Sequence, residues 1–475
     1  MERAVKCRLL AYLFLSMLTF TYLILVPVSR ASFSVMVFVL VQFVCLFFLA
    51  PKKKPLLLFI PLFILASNAF LSANHMWELS NLFVAALLYS VMALWMTDRF
   101  SVKGPLLGFL GSIGRHIIEV FSRFTIPRKW AAGVPRAHMP LIKRICIGIF
   151  ISVPILLFLV GMLAMADEIF SRTVGRFVTR LLLFISFGEI FRLMIGLFAG
   201  VYLFGVLYST YAPRLREQED TMREARRGDA MIINIVLVSI LLIYSLFTAI
   251  QFRYLFAPPD NLPYGLNFVH YARRGFFELL ALTGVNILFI LLAVWLTKTQ
   301  KSRGATFTKA LCLYLCAVTV VLLVSSFYRM WLYGTDDGLT RLRLLVFGFL
   351  VFEAIGLVVT FFYILKPKFN IVAVYTVIAL SYYLVLNLVP MDRIIAREQI
   401  DRYFATGHGG ITYVLSLSAD AAPEVARLLE SDNENTRRSA GLFLERRGRV
   451  PEAGDWRQWN LSIEQAARLS DGATR

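Results

Sequence analysis

With 475 residues, 58% of them hydrophobic and only 17% charged, the chain is too apolar for a soluble protein of this length, in which about 25% of residues are charged. Its net charge of +19 would favour nucleic-acid binding if it were gathered on one soluble face. The charges instead lie in short segments between apolar runs. We therefore expect no nucleic-acid partner, and the lipid bilayer becomes the expected environment.

The apolar runs are long enough for a helix to cross about 30 Å of hydrocarbon, which takes roughly 20 residues. Because a spanning segment must satisfy its own backbone hydrogen bonds, the sequence predicts an all-α, polytopic transmembrane helix bundle. Hydropathy places about eleven spans, at residues 9–28, 33–50, 55–73, 77–97, 145–166, 185–207, 230–252, 276–297, 309–327, 344–365 and 370–389.

Lysine and arginine are distributed unevenly between the connections. The N-terminal segment and every second connection hold 26 of the 49 Lys and Arg residues, the other connections and adjoining span residues hold 11, and the tail after Pro390 holds 12. Because short basic loops remain in the cytoplasm, we expect the N-terminus inside and the C-terminus outside. Anionic lipids are expected at the cytoplasmic loops.

The spans divide the membrane part into three regions. Residues 1–211 form an N-terminal membrane region of about six spans, and residues 230–389 a C-terminal one of about five, joined by a polar cytoplasmic linker at 212–229. Amphipathic interfacial helices are expected near 104–125 and 168–183, the first of which either lies on the membrane or binds a partner. In the sixth span, a Gly-xxx-Gly motif at positions 196 and 200 predicts close helix packing.

The fourth region, residues 390–475, is predicted to be a small helical extracytoplasmic tail. Asp420 is the expected N-cap of a helix with Pro423 in its first turn. Asp432 is the expected cap of a second helix, and Ser462 begins the capping box of a third. So small a helical unit cannot bury its own core, and we expect it to dock on the membrane region or on an envelope protein partner.

Cysteine and histidine positions predict no disulfide framework. The five cysteines all lie in or beside spans. Cys312 and Cys316 share a helical face, either as small packing residues or as a metal or redox pair. His75, His270 and His408 lack neighbouring ligands in the sequence, so no metal and no cofactor are predicted.

Polar residues gather near the predicted outer ends of the seventh to tenth spans. Arginines beside carboxylates suit phosphate head groups, because a guanidinium binds such oxyanions bidentately, but the same groups could pair with one another and close the outer face. No nucleophile motif accompanies them, so catalytic residues are not assigned. This candidate outer-face polar cluster consists of Arg253, Tyr271, Arg273, Arg274, Glu278, Arg329, Asp336, Asp337, Arg341 and Arg343.

Glu353 is a candidate intramembrane ionisable site. It lies nine residues past Leu344, or about 14 Å into a core of about 30 Å. A carboxylate at that depth costs several kcal/mol unless it is protonated, paired or hydrated. Glu353 is therefore a proton or ion site, one member of a buried ion pair, or a protonated carboxyl group hydrogen-bonded to a neighbouring helix.

In combination, several segments resemble an uncharacterised bacterial integral-membrane family, one catalogued as a domain of unknown function. The resemblance covers roughly residues 231–470, and the first 200 or so residues are similar only in hydropathy. It implies a multi-pass protein of the bacterial cytoplasmic (inner) membrane and brings no activity. Just before Tyr413, where an acidic residue is expected, this chain has Gly-Gly-Ile-Thr. The segments that carry the resemblance are 251–256, 271–280, 328–343, 415–424 and 455–461.

Two functional hypotheses follow. The first is a non-enzymatic ligand-binding, sensing, assembly or transport protein whose functional face is on the outer side. The alternative is a membrane-embedded enzyme that acts on a phosphate-bearing lipid or envelope substrate at the outer interface. The first is preferred because no nucleophile or metal-ligand set accompanies the arginines.

Overall fold

A computed structural model describes residues 3–25, 32–96, 187–211, 229–255, 276–297, 303–366, 369–449 and 455–473, with the single positions 114, 120 and 126. The predicted span at 145–166, the interfacial helix near 168–183 and all but three positions of the stretch 97–144 lie outside the described residues. So do residues 212–228 of the linker.

All regular secondary structure in the described residues is helical, which confirms the all-α class there. Short helical turns at 21–25, 54–58, 75–77, 419–421, 426–430 and 456–458 join the longer elements. The helices are α1 (Arg3–Phe20), α2 (Phe33–Leu49), α3 (Phe59–Leu71), α4 (Glu78–Met96), α5 (Phe187–Tyr211), α6 (Ala230–Leu255), α7 (Phe276–Thr297), α8 (Arg303–Asp337), α9 (Arg341–Leu365), α10 (Ile371–Leu388), α11 (Met391–Thr406), α12 (Ile411–Val414), α13 (Ala422–Val425), α14 (Glu434–Gly448) and α15 (Leu461–Ala473).

Nine helical segments in the described part of the chain are long and apolar enough to cross a membrane, and α2 is a shorter apolar helix of 17 residues. Each of these ten coincides with a predicted span. The chain is therefore a multi-pass membrane protein, while the total of eleven spans and their orientation remain predictions.

The described helices form two compact units. The first comprises Met1–Leu58, Leu87–Arg99 and Ser112–Ala212, and in it α1 packs along α5. A Cβ atom on Gly200 would lie 2.9–3.0 Å from the Cβ, Cα and backbone N of Met17, and one on Gly196 would overlap Thr21. The Gly-xxx-Gly motif thus marks a close helix contact within this chain, as predicted.

The second unit comprises Phe59–Ala86, Phe100–Gly111 and Pro213–Arg475. Helices α6, α7 and α8 pack around an apolar core that contains Ile290 and Leu315. Cys312 and Cys316 are buried in that core, consistent with packing residues. Helix α3 and the first half of α4 belong to this unit although they precede residue 211 in the sequence.

The predicted linker between the ninth and tenth spans is mostly helical. Helix α8 continues through Asp337, and only residues 338–340 separate it from α9. Gly338 has a φ angle of +74°, a left-handed conformation that glycine adopts without steric cost. Thr340 is the N-cap of α9, and its side chain accepts a hydrogen bond from the backbone N–H of Arg343.

Residues 391–449 and 455–473 form a helical cap on one end of the second unit. Asp420 accepts hydrogen bonds from the Ser72 hydroxyl at 2.5 Å and from the Ala73 N–H at 2.6 Å. Asn460 donates to the carbonyls of Ala69 and Ser72, and Ser462 donates to that of Leu71. The α3–α4 connection and the cap therefore lie at the same end, and the α8–α9 turn also lies there because the Leu339 N–H donates to Glu398 of α11.

Two of the predicted caps are wrong, and the third is displaced by two residues. The Asp420 carboxylate binds the segment after α3, and Ser418 caps the turn at 419–421 instead. Asn433, not Asp432, caps α14, because its side chain accepts from the two backbone N–H groups at 435 and 436. Asn460 accepts from the N–H groups of Ser462 and Ile463 at the start of α15. The helix caps therefore depend on long-range hydrogen bonds and on shifts of one or two residues that local sequence rules did not predict.

Replacing Gly448 by alanine is expected to lower the free energy of unfolding of the cap by about 1–3 kcal/mol. An added Cβ would lie 2.6 Å from the backbone N and Cα of Ala467, so α14 and α15 would have to separate. Gly441 on the same helix has nothing within 4 Å of that position, and Gly441→Ala should instead stabilise α14 by roughly 0.5–1 kcal/mol. Pulse proteolysis of the full chain in detergent measures both, and equal effects would contradict the close contact.

Candidate functional site

Glu353 occupies the middle of a membrane-spanning helix. It is the thirteenth of the 25 residues of α9, about 18 Å along the helix axis from its first residue. The side chain is only 5% exposed. Among the described residues it has no ion-pair partner, so the buried ion pair considered from the sequence is not formed there.

The closest polar neighbour of Glu353 is Thr283 of α7. The Thr283 Oγ1 atom lies 2.6 Å from Glu353 Oε2 and 2.7 Å from the backbone carbonyl oxygen of Leu280. Thr283 is 1% exposed, so water does not compete for these contacts from outside. One hydroxyl group is therefore shared between a carboxyl group and a carbonyl group.

This geometry allows Thr283 to form a hydrogen bond with Glu353 in either of its protonation states. A hydroxyl has one hydrogen to donate and can accept in addition, whereas a carbonyl oxygen only accepts. If Glu353 is ionised, Thr283 donates to the carboxylate. If Glu353 is protonated, its O–H donates to Thr283, which turns its own hydrogen to Leu280. Rotation of one hydroxyl hydrogen thus accommodates the gain or loss of a proton.

Small and polar residues surround this pair. A Cβ atom on Gly284 would lie 3.4 Å from Glu353 Oε1, an ordinary van der Waals contact, which shows that the carboxyl group lies against α7. Asn286, on the same helix and fully buried, donates from Nδ2 to Thr319 Oγ1 of α8 at 3.2 Å. The Oδ1 atom of Asn286 accepts no hydrogen bond from the described residues.

Buried polar groups continue from Glu353 along the same face of α9. Gly356 and Thr360 follow at helical spacing, and both contact Tyr375 of α10. The Tyr375 hydroxyl donates to the Gly356 carbonyl oxygen at 2.7 Å and lies 2.6 Å from Thr360 Oγ1. On α8, buried Ser326 lies two turns beyond Thr319. The polar groups therefore follow the helix axes rather than forming one isolated pair.

The structure accounts for part of the predicted outer-face cluster. Arg341 donates to both oxygens of Asp392 on α11, from Nε and from Nη2, at 2.6 Å each. The Arg343 side chain is buried and donates to the carbonyl oxygen of Gly338. Arg329 is also buried, at 6% exposure. Arg329 and Arg343 therefore lie inside the protein, whereas Arg341 is one-third exposed and is held by its ion pair with Asp392.

The remaining members of that cluster lie outside the described side chains. Tyr271, Arg273 and Arg274 are not among the described residues. Arg253, Glu278, Asp336 and Asp337 lie within helices whose bounds are given above, but their side chains are not described.

Asp392, which the sequence analysis did not identify as a site residue, is the ion-pair partner of Arg341 and joins α11 to the start of α9. Its side chain is fully buried and also accepts from the backbone N–H of Ser418 at 3.0 Å. Burial raises the pKa of the Asp392 carboxyl group, but the hydrogen bonds from Arg341 and Ser418 outweigh burial, and the net pKa is below the ordinary value. Asp392 is therefore ionised and paired near neutral pH.

The described helices thus define a multi-pass α-helical membrane protein with a carboxyl group buried halfway along one span. The chain belongs to the family described as Domain of unknown function (DUF4153), whose sequence model matches residues 56–428. This confirms the resemblance but shifts its limits, because the match begins in the third predicted span and ends before the segment 455–461. No curated protein and no solved structure matches the chain significantly.

Proposed function

We propose that this chain is a non-enzymatic transport protein of the bacterial cytoplasmic membrane, in which Glu353 takes up and releases a proton during translocation of a solute. The observation that carries the proposal is the shared Thr283 hydroxyl, which can form a hydrogen bond with a carboxyl group in the middle of a span in either protonation state. An ionised carboxyl group at that depth costs several kcal/mol unless it has polar partners, and such groups in membrane spans commonly have a functional role.

The polar residues around Glu353 support the same proposal. Asn286 and Thr319 supply further oxygen and nitrogen atoms between α7 and α8, and Tyr375 and Thr360 continue the polar face along α9. Such a series offers successive positions for a proton or for the polar groups of a solute. We place the functional face on the outer side, at the end that carries the cap, with the N-terminus in the cytoplasm.

The alternative, an enzyme acting on a phosphate-bearing substrate at the outer interface, has less support. It needs arginines that are open to a substrate, whereas Arg341 is paired with Asp392 and Arg343 is buried against the α8–α9 turn. Both guanidinium groups instead have structural partners. The transport hypothesis requires no change in these contacts.

Infrared spectroscopy tests whether Glu353 exchanges protons. The full chain, reconstituted in liposomes, should show a protonated-carboxyl band that changes with pH and disappears in Glu353→Gln. The control is Glu445→Gln, which removes an exposed carboxylate of α14 that pairs with Arg449. A carboxyl band that belongs to Glu353 but does not respond to pH would identify a purely structural hydrogen bond and would overturn the proposal.

A flux measurement tests the coupling. Liposomes that contain a pH-sensitive dye are exposed to a panel of cations, amino acids, sugars and organic acids. We expect at least one solute to drive proton movement through the wild-type chain and through Glu445→Gln but not through Glu353→Gln. Proton movement that survives in Glu353→Gln would show that the coupling carboxyl group lies elsewhere.

A further inference from the structure

Helix α14 concentrates positive charge on one part of the cap. Residues 434–449 contain five arginines and two glutamates, while the tail after Pro390 as a whole holds 12 Lys and Arg and 13 Asp and Glu. The rest of the tail is therefore net negative. Arginines in a last helical turn stabilise the negative end of the helix dipole. In this chain two of them also line a recess in the surface.

A groove of about 430 Å³ lies between α14 and the residue that follows α12. Ligand pockets in proteins have volumes of about 300–1,000 Å³. Three apolar side chains and one serine form much of its lining, and two arginines complete it. The lining residues are Leu415, Ser439, Leu442, Phe443, Arg446 and Arg447.

The two arginines of the groove differ in the contacts that they make within the protein. Arg447 donates to the Ser416 carbonyl oxygen at 3.2 Å, and its guanidinium lies 5.7 Å from the centre of the Phe443 ring. These contacts fix its position at the groove. Arg446 is exposed and has no hydrogen-bond or ion-pair partner among the described residues. Its guanidinium is therefore available to an incoming anion.

The groove lies in the part of the cap that is joined to the first residue of α9, a helix long and apolar enough to span a membrane. Leu415 comes two residues after Tyr413, whose hydroxyl accepts a hydrogen bond from the backbone N–H of Arg341 at 3.0 Å. Arg341 is the first residue of α9. A recess with apolar side chains beside a free guanidinium matches a molecule that has an anionic phosphate and an adjoining apolar chain.

We propose that this groove binds the head group of an anionic phospholipid, with the phosphate on Arg446 and Arg447 and the start of an acyl chain against Leu442 and Leu415. A guanidinium binds phosphate oxygens through parallel charge-assisted hydrogen bonds. Because half of the lining side chains are apolar, we expect the groove to prefer a lipid over inorganic phosphate. The site is separate from Glu353 and does not depend on the transport proposal.

Photo-crosslinking of the full chain in a neutral detergent tests this site. The probe is a photoactivatable phosphatidylglycerol, and peptide mapping measures its attachment to residues 415–447. We expect crosslinking in the wild type and a loss of about tenfold in affinity for each arginine changed in Arg446→Gln and Arg447→Gln. The matched control, Arg397→Gln with Arg468→Gln, removes two exposed arginines elsewhere in the cap, with side chains 72% and 77% exposed, and should retain binding.

Competition experiments identify the source of the anion. Short-chain phosphatidylglycerol should displace the probe, whereas phosphatidylcholine, inorganic phosphate and an acidic peptide should not. Leu442→Gln should weaken lipid binding and leave the thermal midpoint unchanged, because Leu442 is 43% exposed. Equal displacement by phosphatidylcholine, phosphate or the peptide would overturn the proposal, as would equal loss of crosslinking in the control variant.

Discussion

Replacing Asp392 by alanine is expected to loosen the cap from the membrane helices and to lower the free energy of unfolding by about 3 kcal/mol, which is the usual cost of removing one partner from a buried ion pair. Arg341 would lose both of its 2.6 Å contacts, and the Ser418 N–H would lose its acceptor. Because Arg341 is one-third exposed, water compensates part of its charge after the substitution. The Ser418 N–H is buried, so water replaces its lost acceptor less easily.

Pulse proteolysis of the full chain in detergent measures this loss as faster cleavage within the cap. Asp401→Ala is the matched control, because Asp401 is 51% exposed where it pairs with Arg427, and such surface pairs contribute only about 0–1 kcal/mol. A further variant, Arg341→Met with Asp392→Leu, removes both charges together and should recover much of the stability. If Asp392→Ala and Asp401→Ala are equally stable, the Arg341–Asp392 pair does not hold the cap.

The same ion pair gives the cap a defined pH dependence. The pKa of Asp392 is lower in the folded chain than its ordinary value, so its stabilising effect is complete above the unfolded pKa of about 4 and is lost as the pH falls through the folded value. Protease resistance of the wild-type cap should therefore decline in acid below about pH 4. Arg341→Met with Asp392→Leu should lack this contribution to the decline.

The positions of the membrane helices could be predicted from the sequence because each helix coincides with its own run of apolar residues. The ends of α9 follow from its apolar run, and from them the depth of Glu353 follows by counting residues. Its partner Thr283 lies 70 residues earlier, on a helix that is apolar all round. Hydrophobic periodicity therefore could not show which face of α7 meets α9.

The cap illustrates the opposite case, in which local rules compete with distant partners. Asp420 has the sequence context of a helix cap, but its carboxylate binds Ser72, 348 residues away in the sequence. Asp392 lies 51 residues from Arg341, and the two meet only once the chain after α10 has folded back onto the start of α9. Residue spacing in the sequence does not reveal such pairs. In the structure they can be recognised because a buried carboxylate lies beside an apolar cluster and needs a partner.

Replacing Gly200 by leucine is expected to separate α1 from α5 and to destabilise the first unit by about 3 kcal/mol, at the upper end of the usual cost of overpacking. Any side chain at this position meets the backbone of Met17, with contacts of 3.0 Å to its N and Cα. Backbone atoms cannot move aside as a flexible side chain can. In a membrane, close approach of helices is itself a main source of their association, so the variant loses packing as well as gaining a clash.

Gly188 provides the matched control for this prediction, because it lies on the same helix, is exposed and has nothing within 4 Å of a Cβ position. Gly188→Leu should therefore unfold at the wild-type detergent concentration, whereas Gly200→Leu should unfold earlier when SDS is titrated into mixed micelles. Gly200→Ala should fall between them, since one methyl group already meets the Met17 backbone. If all three glycine variants unfold together, α1 and α5 do not form the close contact, and the Gly-xxx-Gly motif would have to serve another helix.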